Sequence, residues 1–397
     1  MLNLLSDAVR RNPYPLYDQL RSASPVLHDP QSDLWLIFDY LDVKQALTDH
    51  AAFSSCYGPA EWMIFLDPPR HAKLRALIAQ AFTPRSVANL EPRIRELSRQ
   101  LLNQTIERGE MDLAGDFAVP LPMLVIADML GIPDTDRSQL KHWNDAILIM
   151  SYTLGRQDEA AAQIANEFNA TTVETNEYLT GLLAERRASP RDDLLTRLLA
   201  AEVEGEHLTQ AEILGFFQLL LLAGSETTTN LINNAILCFI ENPHQLAQLY
   251  TTPDLLPGAI EEVLRYRSPL QWMPRATRCP VTVQGQLIPP GKMVLLMMGA
   301  ANHDPRQFSN AGCFDIRRDP NPHLAFGHGI HFCLGAALAR LESRIALTDL
   351  LERVKGFELM SDEPWEPREG LHVHGPNHLP LRFAPGPQRS PMVARAV

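Results

Sequence analysis

Phe326-Gly327-His328-Gly329-Ile330-His331-Phe332-Cys333-Leu334-Gly335 runs directly into Ala336-Ala337-Leu338-Ala339-Arg340-Leu341-Glu342, a stretch of good helix formers. One cysteine thus sits at the mouth of a predicted helix. Unpaired backbone N–H groups and the positive end of the helix dipole face a sulfur placed there and favour its thiolate. Such a thiolate can donate electron density to a haem iron as its axial ligand. A lone cysteine is more often a small buried core residue. The surrounding glycines change the balance, because they let the backbone pass close to a flat cofactor where a Cβ would clash. The chain has no C-x-x-C-H, so a haem would be held without covalent attachment.

Working outward, a long helix is predicted from the capping box Thr209-Gln210-Ala211-Glu212 to the stop at Pro243. About 32 residues at ~1.5 Å each span roughly 48 Å, enough to cross the molecule. Ala223-Gly224-Ser225-Glu226-Thr227-Thr228 lies in its middle and is a poor choice for helix stability. Adjacent threonines lose rotamer freedom and can bond back to carbonyls, and Gly224 costs about 1 kcal/mol against alanine. Three such compromises in a row point to a kink with a purpose. Further on, Glu262 and Arg265 are spaced i, i+3, which alone describes any solvent-facing helix pair.

The cysteine loop, A-G-x-E-T-T and E-x-x-R, in that family's order, resemble the cytochrome P-450 family of haem-thiolate monooxygenases. The resemblance runs from about Asn12 to Phe383 and includes Pro274-Arg275-Ala276-Thr277 and Phe314-Asp315-Ile316-Arg317-Arg318. It implies haem b with Cys333 as the metal ligand, seated between the loop and the central helix. Phe326, Gly327, Gly335 and Ala223 would contact the cofactor, with Phe326 packing over the thiolate. His71, Arg75, Arg275 and His331 would hold its two propionates, whose burial without cationic partners is costly. Thr227 would hold reduced oxygen by a hydrogen bond and Glu226 would pass solvent protons inward. Glu262, Arg265 and Arg318 would form a buried structural cluster tying one helix to the cysteine loop. The substrate-contact segments map to Trp62, Met63, Phe65, Leu220, Gln271, Trp272, Met273 and Val373, apolar and bulky, with Gln271 and nearby histidines as polar anchors. That composition suits a hydrophobic small molecule.

Composition narrows the rest. The chain has 397 residues, 45% hydrophobic, and a formal net charge of −12. No block of lysine and arginine marks a nucleic-acid footprint. The five cysteines are odd in number and scattered, a pattern suited to a reducing cytoplasm rather than a disulfide framework. The N-terminus is too short and polar for a signal peptide, and the run Phe216 to Ala223 is far below the ~20 residues of a membrane span. No H-E-x-x-H or paired C-x-x-C supports a zinc site.

The expected fold is mainly α (α-rich α+β). Predicted strands are Leu34 to Phe38, Val281 to Val283, Leu287-Ile288, Met293 to Met297 and His378 to Phe383. Residues 1–384 read as one domain and 385–397 as a disordered tail. The family's triangular prism, with small sheets beside a helical body, is what the resemblance adds. The expected activity is insertion of one oxygen atom from O₂ into a C–H or C=C bond, with electrons from a separate ferredoxin (or flavodoxin) and reductase docking near Arg340, Arg344 and Lys73. Two alternatives stand beside it: a peroxide-driven hydroxylase or decarboxylase on the same scaffold, and a non-catalytic haem or ligand-binding protein.

Overall fold

The computed structural model describes residues 6–151 and 159–386. Five helices position the site: α1 (Arg70–Ala81), α2 (Pro120–Leu130), α3 (Gln210–Glu241), α4 (Leu256–Tyr266) and α5 (Ala336–Arg353). The capping box forms as expected. Thr209 Oγ1 accepts from the Glu212 N–H at 3.2 Å, and the Glu212 carboxylate accepts from the Thr209 N–H at 2.9 Å. The helix then runs unbroken for 32 residues and ends before Pro243. From Leu231 to Phe239 every residue is buried, the mark of a helix enclosed on all sides.

Three prolines of the helical region sit at helix starts. Pro84 and Pro120 open their helices and Pro92 is second in its own, where a missing N–H costs nothing. Among the described residues one stretch, Leu113–Leu130, is long and apolar enough to cross a membrane by composition. It is a core segment: Leu113, Leu121, Ala127 and Leu130 are wholly buried. α2 packs on α3 where Gly224 leaves room, since a Cβ there would lie 2.9 Å from Ile126 Cδ1. The glycine that looked like a local compromise therefore admits a neighbouring helix.

A five-stranded sheet flanks this body. Its strands β1 (Val26–Asp29), β2 (Leu34–Ile37), β3 (Phe53–Ser54), β4 (Met273–Thr277) and β5 (Met293–Leu296) lie in the order β1-β2-β5-β4-β3. β5 runs parallel to β2, with Val294 opposite Trp35 and Leu296 opposite Ile37. β4 is not expected from the sequence because Pro274 interrupts it. The proline is tolerated because β3 pairs only with Ala276 and Thr277, so the outer edge at Pro274 is free. Val281–Val283 and Gln286–Ile288 form a hairpin. A second sheet joins Val354–Leu359, Pro380–Pro385 and Glu110–Asp112. Its central strand continues beyond the expected domain end at 384, and the Gly386 N–H donates to the Arg353 carbonyl at 2.6 Å. Most of the expected tail, 387–397, lies outside the described residues.

Candidate active site

Gly335 caps the N-terminus of α5, so the cysteine two residues earlier faces the helix mouth. The Cys333 N–H donates to the Phe326 carbonyl at 2.9 Å, which closes the loop on itself. Gly327 and Gly329 adopt left-handed backbone, with φ of 70° and 71°, which only glycine enters without strain. Burial pushes the Cys333 thiol up, while the Gly335 and Ala336 N–H groups and Arg75 draw it down. A Cβ on Gly335 would meet only Cys333 Sγ, at 4.0 Å, so the space above the sulfur is open to a flat group.

That space belongs to a cavity of about 250 Å³ between α3, α5 and the sheet. Thr227 and Ala223 of α3 line it, as do Cys333, Phe326, Gly327, Gly335, His331, Arg75 and Arg275. The Thr227 hydroxyl donates to the Ala223 carbonyl at 2.7 Å, the back-bond expected of a mid-helix threonine. Glu226 lies behind this wall. It is 6% exposed, and its Oε1 is 4.0 Å from Nε of Arg368.

At one end of the cavity two arginines and two histidines gather, and Asp67, a carboxylate that acts on Arg275 and both histidines, is itself paired with Arg278 at 2.7 Å. Arg275 is 2% exposed and Arg75 half-buried, yet among the described residues no carboxylate pairs with either. Arg75 donates to the Phe332 carbonyl at 2.7 Å and Arg275 to the Pro274 carbonyl at 2.7 Å. His71 and His331 lie 4.2 Å apart, ring to ring, each with a buried Nε2 lacking a partner. Burial and then Arg75 lower His71 to about 4; burial and then His71 lower His331 to about 3. One buried and one half-buried guanidinium and two orphaned imidazole nitrogens are what a dianionic rim would satisfy. The residues present therefore fit haem: Cys333 as its ligand, and Arg75, Arg275, His71 and His331 around its propionates.

Glu262 and Arg265 are wholly buried on α4 and meet at 2.8 Å through two parallel bonds. Arg318 Nε approaches the same carboxylate at 3.1 Å and Asn321 Nδ2 at 3.1 Å. Arg265 also donates to the Asn302, Ala311 and Cys313 carbonyls, at 2.9, 2.8 and 2.9 Å, so all five of its N–H bonds are used. Asn321 and the three carbonyls were invisible in the sequence, where only the charged members stand out.

The expected substrate residues divide. Met63, Leu220 and Met273 line the cavity. Trp62, Phe65, Gln271, Trp272 and Val373 do not. Trp62 stacks on Phe65 and its Nε1 donates to Gln218 Oε1 at 3.2 Å. Gln271 is wholly buried and donates to the Ser268 carbonyl at 2.6 Å, which makes it a structural tie. Trp272 packs on His372 at 4.2 Å and Val373 bridges Leu270. His372 and His374 are likewise buried away from the cavity, and His378 pairs with Asp112 at 2.7 Å. Phe82, Phe216, Leu219, Leu231, Leu264, Met298 and Glu342 also line the cavity. Periodicity could have found those on α3, but Phe82 and Met298 come from unrelated elements. The positive docking face is also qualified: Arg340 is held by Glu261 at 2.7 Å, Arg344 by Glu91 at 2.9 Å and Lys73 by Glu206 at 2.6 Å.

The cytochrome P450 family model matches residues 31–252 and 253–378. The chain is 41% identical over 385 residues to cytochrome P450 109 of Bacillus spizizenii, covering 96% of this chain and 95% of that protein. Among solved structures, CYP109Q5 from Chondromyces apiculatus superposes with a TM-score of 0.89 at 38% identity, covering 97% and 98% of the two chains. CYP109E1 from Bacillus megaterium in complex with testosterone gives 0.87 at 38% identity, covering 94% and 99%. A thiol at a helix mouth and a largely apolar chamber against a long central helix suit a haem-thiolate protein. The chain belongs to the cytochrome P450 family, a monooxygenase that binds haem b through a cysteine thiolate.

Proposed function

We propose that residues 1–384 act as one catalytic unit, cytoplasmic and soluble, that oxygenates a hydrophobic, polycyclic or lipid-like small molecule using O₂. Electrons would come from a separate ferredoxin or flavodoxin and its reductase. The observation that carries this reading is that Cys333 and Thr227 line one chamber whose wall, away from the end held by Arg75, Arg275 and His331, is mostly apolar. The relative from Bacillus megaterium was solved with testosterone, which supports a rigid apolar substrate.

Haem bound here supplies the redox chemistry that activates oxygen. This chain's residues do the rest. Cys333 would hold the iron. Arg75 and Arg275 would neutralise the propionates, and His71 and His331, uncharged, would orient them by hydrogen bonds. Phe216, Leu219, Leu220, Met63 and Met273 exclude water and press the substrate toward the reacting centre. Thr227 would offer its hydroxyl to the chamber once it releases the Ala223 carbonyl. Glu226, behind the helix wall, takes protons from the Arg368 side and passes them to Thr227. Glu262, Arg265 and Arg318 fix the segment before the loop.

The test is a screen of steroids, terpenoids and fatty acids by the spin-state change in the absorption spectrum, followed by turnover with ferredoxin, reductase and O₂. Oxygenated product from a spin-shifting compound is expected. Turnover with hydrogen peroxide alone, equal to that with the electron-transfer chain, would support the peroxide-driven alternative instead.

A further inference from the structure

Glu261 stands beside Glu262 on α4, but a helix turns ~100° per residue, so the two carboxylates meet different neighbours. Glu262 holds Arg318 and Asn321, ahead of the cysteine loop. Glu261 reaches both arms of the loop itself. On one side Arg340 of α5 grips it through two parallel bonds, Nε to Oε1 at 2.7 Å and Nη2 to Oε2 at 2.8 Å. On the other, His323 Nε2 donates to Oε2 at 3.1 Å, since His323 Nδ1 already accepts from the Ala325 N–H at 3.2 Å. Both partners adjoin Phe326. The Arg340 guanidinium stands over its ring, 4.4 Å from the centre, and the His323 ring lies 6.0 Å away. Phe326 is the residue whose carbonyl accepts the Cys333 N–H at 2.9 Å. Glu261, His323, Arg340 and Phe326 thus form one connected set that ends on the backbone of the cysteine.

An exposed ion pair is worth little, because long side chains lose freedom in making it and salt screens it. The Glu261 pair escapes both objections. The His323 side chain is only 4% exposed, the arginine fork is bidentate, and a guanidinium lying over an aromatic ring is already oriented. Burial alone would push the Glu261 carboxyl up, yet Arg340 and His323 hold it down to about 2, so it is ionised at neutral pH.

Resting on the reading of Cys333 as the haem ligand, we propose that Glu261 is a positioning residue for that ligand: it holds Arg340 over the Phe326 ring and His323 beside it, and so fixes the carbonyl to which the Cys333 N–H is bonded. Glu261 touches neither the chamber nor the sulfur and acts only through Phe326. Glu262 anchors the segment before the loop, and Glu261 sets the loop itself.

The experiment uses the full-length holoenzyme and reads the loop in two ways. Amide hydrogen exchange of the peptide spanning 323–335 reports the Cys333 N–H bond, and the iron–sulfur stretch in the resonance Raman spectrum reports the ligand. Glu261→Ala should speed exchange of that peptide about tenfold and should shift and broaden the stretch, with Glu261→Asp restoring part of each. In a Phe326→Leu background, Glu261→Ala should change neither further, because the ring through which it acts is gone. If Glu261→Ala loads haem poorly, Arg340→Lys decides: it keeps the charge but loses the fork and the planar contact with the ring, and should give the same two changes, smaller in size. The proposal is overturned if Glu261→Ala leaves exchange and stretch as in the wild type, or if it alters them equally in both backgrounds, as a general surface ion pair would. A wild-type protein without an iron–sulfur stretch would bring down the ligand reading, whereas an unchanged stretch in every variant would bring down the positioning role alone.

Discussion

Cys333 is distinguished from the other cysteines by position rather than by type. Cys238 is buried inside α3 and Cys56, Cys279 and Cys313 are exposed, whereas Cys333 alone among them lines the chamber. Replacement by serine should abolish the long-wavelength Soret band of the reduced, carbon monoxide-bound protein, which a single absorption spectrum checks. Arg265 shows the same dependence on exact chemistry. Lysine offers three donors against the five in use, so Arg265→Lys would leave buried carbonyls orphaned despite keeping the charge. Glu262→Ala removes the shared acceptor and leaves two buried guanidiniums uncompensated; a loss of ~3–5 kcal/mol is expected, read by denaturant unfolding and by haem retention.

At the scale of elements, α3 carries the argument, and Gly215 shows how tightly it is fitted. A Cβ there would lie 2.3 Å from the Glu61 carbonyl oxygen, a backbone atom that cannot swing aside. Alanine is the better helix former by about 1 kcal/mol, but overpacking costs ~1–3 kcal/mol, so the clash wins. Gly215→Ala should lower the melting temperature and also weaken substrate binding, because the displaced segment carries Met63. Much of this level was legible. The capping box, the length of α3 and the prolines at helix starts follow from local rules that tertiary contacts do not override. β4 was hidden because Pro274 argues against a strand unless its free edge is known. The substrate wall was half legible for a related reason: Gln271 and Trp272 have the right chemistry, but their direction is set by contacts with Ser268 and His372 that no local pattern encodes.

The whole molecule is held partly by histidines buried without charge. His303 stacks on Tyr14 at 4.0 Å, and His374 Nε2 donates to the Arg11 carbonyl at 3.0 Å, so both sit where the N-terminal residues dock. Burial, then Arg265, lowers His303 to about 3; burial, then Arg267, lowers His374 to about 3. A depressed value means that the folded state refuses protons which the unfolded chain accepts below about 6.5. Stability is therefore intact at neutral pH and falls as pH drops from 6.5 toward 3. Melting temperatures across pH 7 to 4 should decline steeply, and His303→Gln should flatten part of that slope.

The mixed sheet has a consequence for the order in which the chain can assemble. β1, β2 and β3 are made within the first 54 residues, but the strands that join them, β4 and β5, lie at 273–296. During synthesis the early hairpin must wait with an unpaired edge while the helical body forms, an arrangement that slows closure and invites aggregation. The cysteine loop emerges later still. The cofactor is thus captured by a nearly finished molecule, and a shortage of haem should show itself as late-stage precipitation of almost complete chains rather than as early misfolding.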